Sequence, residues 1–259
     1  MTVLDKILAD KRSRLALRSA SELMEVKAQA ADAPPPRGFL ASLRAAAPQT
    51  ALIAEVKKAS PVAGLLKADF NPAELGKVYA QAGAHALSVL TDEAYFQGST
   101  QNLQSAREAS GLPVLRKDFT VGAYDIYEAR AMGADAVLLI AAALNDEELT
   151  EFSSLATELG LDALVETHTE REVDRAAKIG ATLIGVNNRD LETFQTGLEI
   201  GERVLPSIPE GAFPVAESAM RTPEDVQRMV RVGAKGVLIG TALSTQQDGG
   251  AAVRRLMGW

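Results

Sequence analysis

Four stretches of the chain repeat one order of events: a helical ending, then Gly-Ala, then a short run of strand-forming residues. They are QAGAHALSVL (81–90), AMGADAVLLI (131–140), KIGATLIGVN (178–187) and RVGAKGVLIG (231–240). Their glycines, Gly83, Gly133, Gly180 and Gly233, stand 50, 47 and 53 residues apart. A second series, SGLPVLRK (110–117), LGLDALVE (159–166) and EGAFPVAE (210–217), falls in the gaps. Glycine after a helix is the residue that turns left-handed at no steric cost. The runs that follow are short, rich in β-branched residues and apolar on both faces, as in parallel strands covered by helices.

With ALIAEVK (51–57) ahead of them, these runs make eight strands. The stretches between them carry helix-opening residues: Asn71-Pro72, Ser99-Thr100, Gly122, Asn145, Thr169 and Thr222-Pro223. Eight βα units of similar length with no break in composition predict a closed (β/α)8 TIM barrel. An open doubly wound sheet is the alternative, but it normally carries G-x-G-x-x-G after its first strand, and none stands here. The whole chain, 1–259, reads as one barrel domain with residues 1–48 as a helical N-terminal extension. In that extension, helices are expected near 2–18, 21–31 and 38–46, with Pro34-Pro35-Pro36 forcing an extended link. It is placed equally well as a cap on the barrel's bottom or as a lid over its active end.

Composition narrows the chemistry. There is no cysteine, so disulfides, thiolate nucleophiles and thiolate metal sites are excluded, and the cytoplasm is the expected compartment. The net charge of −7 argues against a nucleic-acid partner. No apolar run is long enough to span a bilayer, and the opening MTVLDKILADKRSR lacks the apolar core of a secretory signal. Two histidines, His85 and His168, are too few for a multi-His metal site. His85 opens a strand and reads as structural, and His168 reads as lining a loop.

Several strands nevertheless end in charge, and barrel chemistry sits at the C-terminal ends of strands. The first ends Glu55-Val56-Lys57, which puts two charges on one face, the third Arg116-Lys117-Asp118, the fifth Glu166, the sixth Asn187-Asn188-Arg189, and the seventh Glu217-Ser218. Barrel closure would bring Glu55, Lys57, Lys117, Glu166 and Glu217 to one rim as a mixed-sign set. Lysines beside carboxylates in a pocket suit general acid–base catalysis, and a metal is not expected because the lysines would compete for the same carboxylates. An anion seat is expected where the last strand runs into Gly240-Thr241, next to Ser218, with Ser60 adding a hydroxyl. In a chain with 5% aromatics, Tyr95, Phe96 and Phe119 after the second and third strands suggest a wall for a flat ring.

Read in order, IAEVKKASP (53–61), LTDEAYFQGS (90–99), VLRKDF (114–119), ALVETH (163–168), GVNNRDL (185–191), VAES (215–218) and LIGTAL (238–243) resemble the indole-3-glycerol-phosphate synthase family. LDKILADKR (4–12) and PPPRGFLASLR (34–44) are similar to that family's helical extension. The resemblance implies cofactor-free ring closure, decarboxylation and dehydration of 1-(2-carboxyphenylamino)-1-deoxyribulose 5-phosphate in tryptophan biosynthesis. It implies Lys117 as the general acid, Lys57 on the substrate carboxylate, Glu166 as acid/base in dehydration and Glu55 as positioner of the lysines. By the same resemblance Asn187 and Arg189 bind and orient the substrate and Glu217 lines the pocket, while Phe96 and Phe119 belong to the wall read from the rim aromatics. Ser60, Ser218, Gly240 and Thr241 take its phosphate.

The sequence departs from the family's pattern in two places. Val62-Ala63 stand where Ser-Lys or Ser-Gly is usual, and Ala219-Met220 where Gly-Ile is usual, so weaker phosphate binding is expected. A phosphoribosylanthranilate isomerase, another phosphosugar barrel, and a catalytically retired barrel serving as a binding subunit are the alternatives. The partner expected is a small phosphorylated substrate, with neither nucleic acid nor membrane, and the chain is expected to be a monomer or weak homo-oligomer.

Overall fold

The computed structural model describes residues 2–61, 64–190 and 195–259. Eight parallel strands close on themselves: β1 (Ala51–Val56), β2 (Ala86–Leu90), β3 (Val114–Lys117), β4 (Ala136–Ile140), β5 (Asp162–Thr167), β6 (Leu183–Asn187), β7 (Phe213–Glu217) and β8 (Gly236–Ile239). Each pairs in parallel with its sequence neighbours, and β1 pairs with β8 to shut the barrel. The period of two then divides every strand between two cores. On β1, Leu52, Ala54 and Val56 face the surrounding helices. Ala51 and Ile53 instead face the axis, in a cluster with Leu115, Leu138, Leu164, Val215 and Leu238. Glu55 is the next inward residue after Ile53, so the apolar filling stops where the charged strand ends begin.

The helices start where the polar caps stand. Asn71, Ser99, Asn145, Thr169 and Thr222 each accept the backbone N–H three residues on. Such a cap contributes about 1 kcal/mol. The glycines of both repeats have positive φ, but Gly211 lies in a turn beyond the 3-10 turn Leu205–Ser207 rather than at a helix end. Two short elements went unread in the sequence: a helical turn at Glu93–Phe96 and a hairpin pairing Ala59–Ser60 with Gly64–Leu65.

The extension serves both expected ends. α1 (Val3–Ala16) lies over the C-terminal mouth, α2 (Ala20–Asp32) runs along the outside, and α3 (Phe39–Arg44) closes the bottom. Phe39, Leu40 and Leu43 of α3 join the axial core. Leu40 donates its backbone N–H to Asp162 (2.8 Å), and the Ser42 hydroxyl donates to the His85 carbonyl (2.6 Å). His85 is structural, as expected: its Nδ1 accepts the Leu52 N–H (3.2 Å) and its ring meets Trp259 edge-on. At the mouth, Lys11 of α1 reaches Asp118 (2.5 Å) and Asp92 (3.3 Å) on the loops after β3 and β2, and Arg12 donates to the Ala143 carbonyl after β4. Among the described residues no helix is long and apolar enough to cross a membrane.

Candidate active site

Inward residues at the ends of β1, β3, β5, β6 and β7 surround a cavity of about 420 Å³ at the C-terminal mouth. Glu55, Lys57, Lys117, Glu166, Asn187, Arg189 and Glu217 all line it. Strand alternation explains the selection. Lys117 points to the axis, whereas Arg116 points outward and is tied to Asp118 (3.3 Å) and Glu128 (2.6 Å). One strand end thus carries a pocket cation and a structural cation side by side. Phe96 and Phe119 form part of the wall, their rings tilted with centroids 6.2 Å apart. Tyr95, the third rim aromatic, instead donates its hydroxyl to Asp10 of α1 (3.4 Å). Leu4 and Ile7 of α1 complete the apolar side. Nothing in the spacing of α1 pointed them at the cavity.

Lys117 is the electrostatic centre. Its Nζ donates to Glu166 Oε2 (2.7 Å) and Glu217 Oε2 (2.9 Å), from strands on the far side of the barrel. Lys57 donates to Glu55 Oε1 (2.5 Å), the i, i+2 pair expected on β1. Burial disfavours the ammonium of Lys117, but Glu166, Glu217 and Glu55 together raise its pKa above the ordinary lysine value. The two carboxylates that share it are driven apart. Burial opposes ionisation of Glu166, yet Lys117, His168 and the Asn187 amide outweigh it and hold the carboxyl at about 2. Glu217 is pushed up to about 7, because burial and the neighbouring Glu166 charge outweigh Lys117. The shared lysine thus leaves two carboxyl groups of unequal acidity, Glu166 the one held ionised and Glu217 the one driven toward its protonated form.

Two glycines make room for these groups. A Cβ at Gly240 would collide with the Glu55 carboxylate and stand 3.1 Å from Lys57 Nζ, and one at Gly185 would collide with Glu217.

The expected anion seat is brought together in part. Ser218, Gly240 and Thr241 line the same cavity, and Thr241 starts a helical turn, Thr241–Ser244. Ser60 is not among the lining residues; it pairs with Gly64 in the hairpin, and its neighbour Pro61 lines the cavity instead. Val62 and Ala63 lie outside the described residues, as does Leu191 at the end of the sixth motif. Ala219 has φ +66° and Ser218 has φ +65°, and Met220 donates its N–H back to the Ser218 carbonyl (2.9 Å), a γ-turn centred on Ala219. Glycine would take up this conformation without steric cost. Arg221, Gln246 and Arg255 also border the cavity, unread in the sequence because they stand outside the strand ends.

A closed parallel barrel with a buried lysine–carboxylate cluster at its C-terminal mouth defines a (β/α)8-barrel of the kind that performs acid–base chemistry on small ligands. Solved barrels share that fold at low identity. One is a thiamine phosphate pyrophosphorylase from Pyrococcus furiosus (TM-score 0.59, 17% identity, 80% of this chain and 93% of that one). Another is an N-acetylmannosamine-6-phosphate 2-epimerase from Clostridium perfringens (TM-score 0.58, 15% identity, 74% and 86%). Sequence similarity is far more specific. The profile described as indole-3-glycerol phosphate synthase matches residues 4–256. Proteins named indole-3-glycerol phosphate synthase from Chloroherpeton thalassium and Rhodospirillum rubrum are each 48% identical to this chain. The first is aligned over 95% of this chain and 96% of its own length, the second over 99% of both. The chain belongs to the indole-3-glycerol phosphate synthase family.

Proposed function

We propose that the protein converts 1-(2-carboxyphenylamino)-1-deoxy-D-ribulose 5-phosphate to indole-3-glycerol phosphate, with loss of carbon dioxide and water, in tryptophan biosynthesis. The observation that carries the mechanism is the Lys117 ammonium held between Glu166 and Glu217 in the mouth cavity. As the substituted aromatic carbon attacks the ketone, charge develops on the carbonyl oxygen, and an alkoxide is basic enough to take the proton even from a lysine of raised pKa. Lys117 is placed to give it. Lys57, anchored by Glu55, neutralises the substrate carboxylate until carbon dioxide leaves. Glu166 then takes and returns the proton of the dehydration step. Asn187 and Arg189 orient the substrate, Glu217 bounds the pocket beside Lys117, and Phe96 and Phe119 flank the ring. Ser218, Gly240 and Thr241 receive the phosphate, with Ser60 contributing from the hairpin after β1. No metal and no organic cofactor enters this chemistry.

The barrel and residues 1–48 are read as one domain, working as a monomer or weak homo-oligomer in the cytoplasm without nucleic acid. A net charge of −7 and a chain free of cysteine support that reading. Mixing the purified protein with the carboxyphenylamino-deoxyribulose phosphate and following indole fluorescence tests it. Product formation lost in Lys117→Met is expected, and no turnover by the wild-type protein would refute the assignment.

A further inference from the structure

His168 has no part in the reaction as derived above, yet its position is costly. Its side chain is only 10% exposed, and both ring nitrogens are shut off from solvent. The ring stands between two carboxylates. Nε2 lies 3.8 Å from Glu166 Oε1, and Nδ1 lies 3.5 Å from Glu172 Oε2. The Glu172 contact is at the outer limit of a hydrogen bond and the Glu166 contact just beyond it, so a small tilt of the ring tightens either.

Each neighbour is fixed from its other side. Glu172, on the helix Glu170–Lys178, accepts the His168 backbone N–H (2.6 Å) and the helix-opening N–H bonds back to Thr169. Glu166 presents Oε2 to Lys117 from β5, leaving Oε1 toward the imidazole. Glu217 of β7 is the third acid whose charge His168 feels, and Lys117 of β3 stands beyond Glu166. The charged groups in direct reach of the ring, Glu166 and Glu172, are both acids, an arrangement that favours imidazolium.

We propose that His168, oriented by Glu172, is a positioning residue that holds the Glu166 carboxylate from behind, so that Oε2 stays on Lys117 and the group stays ionised until it is needed. The inference rests on the acid/base reading of Glu166 and adds a carboxylate–imidazole–carboxylate line running from the helix Glu170–Lys178 into the pocket. Direction agrees with geometry. Burial works against protonation of His168, but Glu172, Glu166 and Glu217 together raise its pKa above the ordinary histidine value. Burial alone acts on His85 and lowers it, in keeping with a ring nitrogen that accepts the Leu52 N–H.

The chain contains two histidines, so imidazole NMR resolves both in the intact protein. His168→Gln assigns the signals. We expect one histidine to titrate above pH ~6.5 and the other below it. Glu166→Gln and Glu172→Gln should each lower the upper midpoint by roughly one unit, the effect of removing one close charge. In kinetics, His168→Gln should lower kcat about tenfold, leave KM within about twofold, and move the low-pH limb of kcat upward. Removing the cation makes Glu166 harder to ionise, whereas a packing defect would not shift that limb. A His168 midpoint unchanged in Glu166→Gln, or a His168→Gln enzyme with the wild-type pH profile, overturns the proposal. The titration needs no substrate, so it decides the coupling even if the wild-type protein fails to turn the substrate over, which would refute the proposed function instead.

Discussion

Ala219 is an alanine in a glycine's conformation, and replacing it with glycine should reverse the usual sign of that substitution. At φ +66° an L side chain costs about 1–2 kcal/mol relative to the right-handed regions. Glycine removes that cost. Against it stand about 0.4–1 kcal/mol of extra freedom in the unfolded chain. A half-buried methyl adds a fraction of the ~0.8 kcal/mol assigned to a fully buried one. The balance for Ala219→Gly runs from no change to a gain of about 1 kcal/mol. The control is Ala28, exposed on α2, where Ala→Gly should cost about 1 kcal/mol. Urea unfolding of both variants measures the contrast, and a melting temperature raised by up to ~4 °C should accompany the gain. Because Ala219 lines the cavity beside Ser218, the variant should also lower KM for the phosphorylated substrate and leave kcat nearly unchanged. An Ala219→Gly protein destabilised as much as Ala28→Gly would refute the strain argument.

The remaining expectations concern the charged cluster. Lys117→Met should lower kcat by at least ~10²-fold with the circular-dichroism spectrum retained, since it removes the proposed acid at similar side-chain volume. Lys57→Met should raise KM as well as lower kcat, while Glu166→Gln should act mainly on kcat. A Glu166→Gln enzyme altered only in KM would show a binding role. Glu217 carries a folded-state pKa raised to about 7 above its ordinary 4.5. Between those values the folded protein holds the proton that the unfolded chain has lost, so this group's contribution falls as pH rises through that window. Glu217→Gln should therefore melt near wild type at pH 5 and gain relative stability by pH 8, measured by thermal melts at both. A soak with phosphate or sulfate should put the anion against Gly240 and Thr241, and an anion seen only at the α3 end would remove the seat proposed here.

The barrel was legible because its sequence signal is repeated: glycines, two-faced apolar runs and helix caps recur along the chain. The inward charges were legible for a related reason. Period-two alternation fixes that Glu55 and Lys57 share a face, and barrel closure brings distant strand ends together. Pair partners were not legible. Nothing in the spacing says that Lys117 spans to Glu166 and Glu217 rather than to Glu55, because that depends on which strands face each other across the axis. The role of α1 was hidden too. Leu4 and Ile7 look like ordinary helix-core residues, and their docking on the mouth is set by salt bridges to loops about a hundred residues away. Ser60 was read as a phosphate contact from its place after the first strand, and its pairing with Gly64 in a hairpin was not visible in the spacing. Arg116 and Lys117 are adjacent cations, and the side of the strand on which each lies sends the first outward to Glu128 and the second to the axis.

The docking of α1 has a consequence for the order in which this protein assembles. The helix is made before its partners Asp92, Asp118 and Ala143, which are translated about 80 to 130 residues later. Its Leu4, Ile7 and Leu8 have no apolar surface to cover until β2, β3 and β4 have paired. Closing so long a loop is entropically slow, and such contacts form late in folding. The hydrophobic wall of the cavity thus appears only after those strands have paired, and until then the nascent chain carries α1 with no surface to dock on.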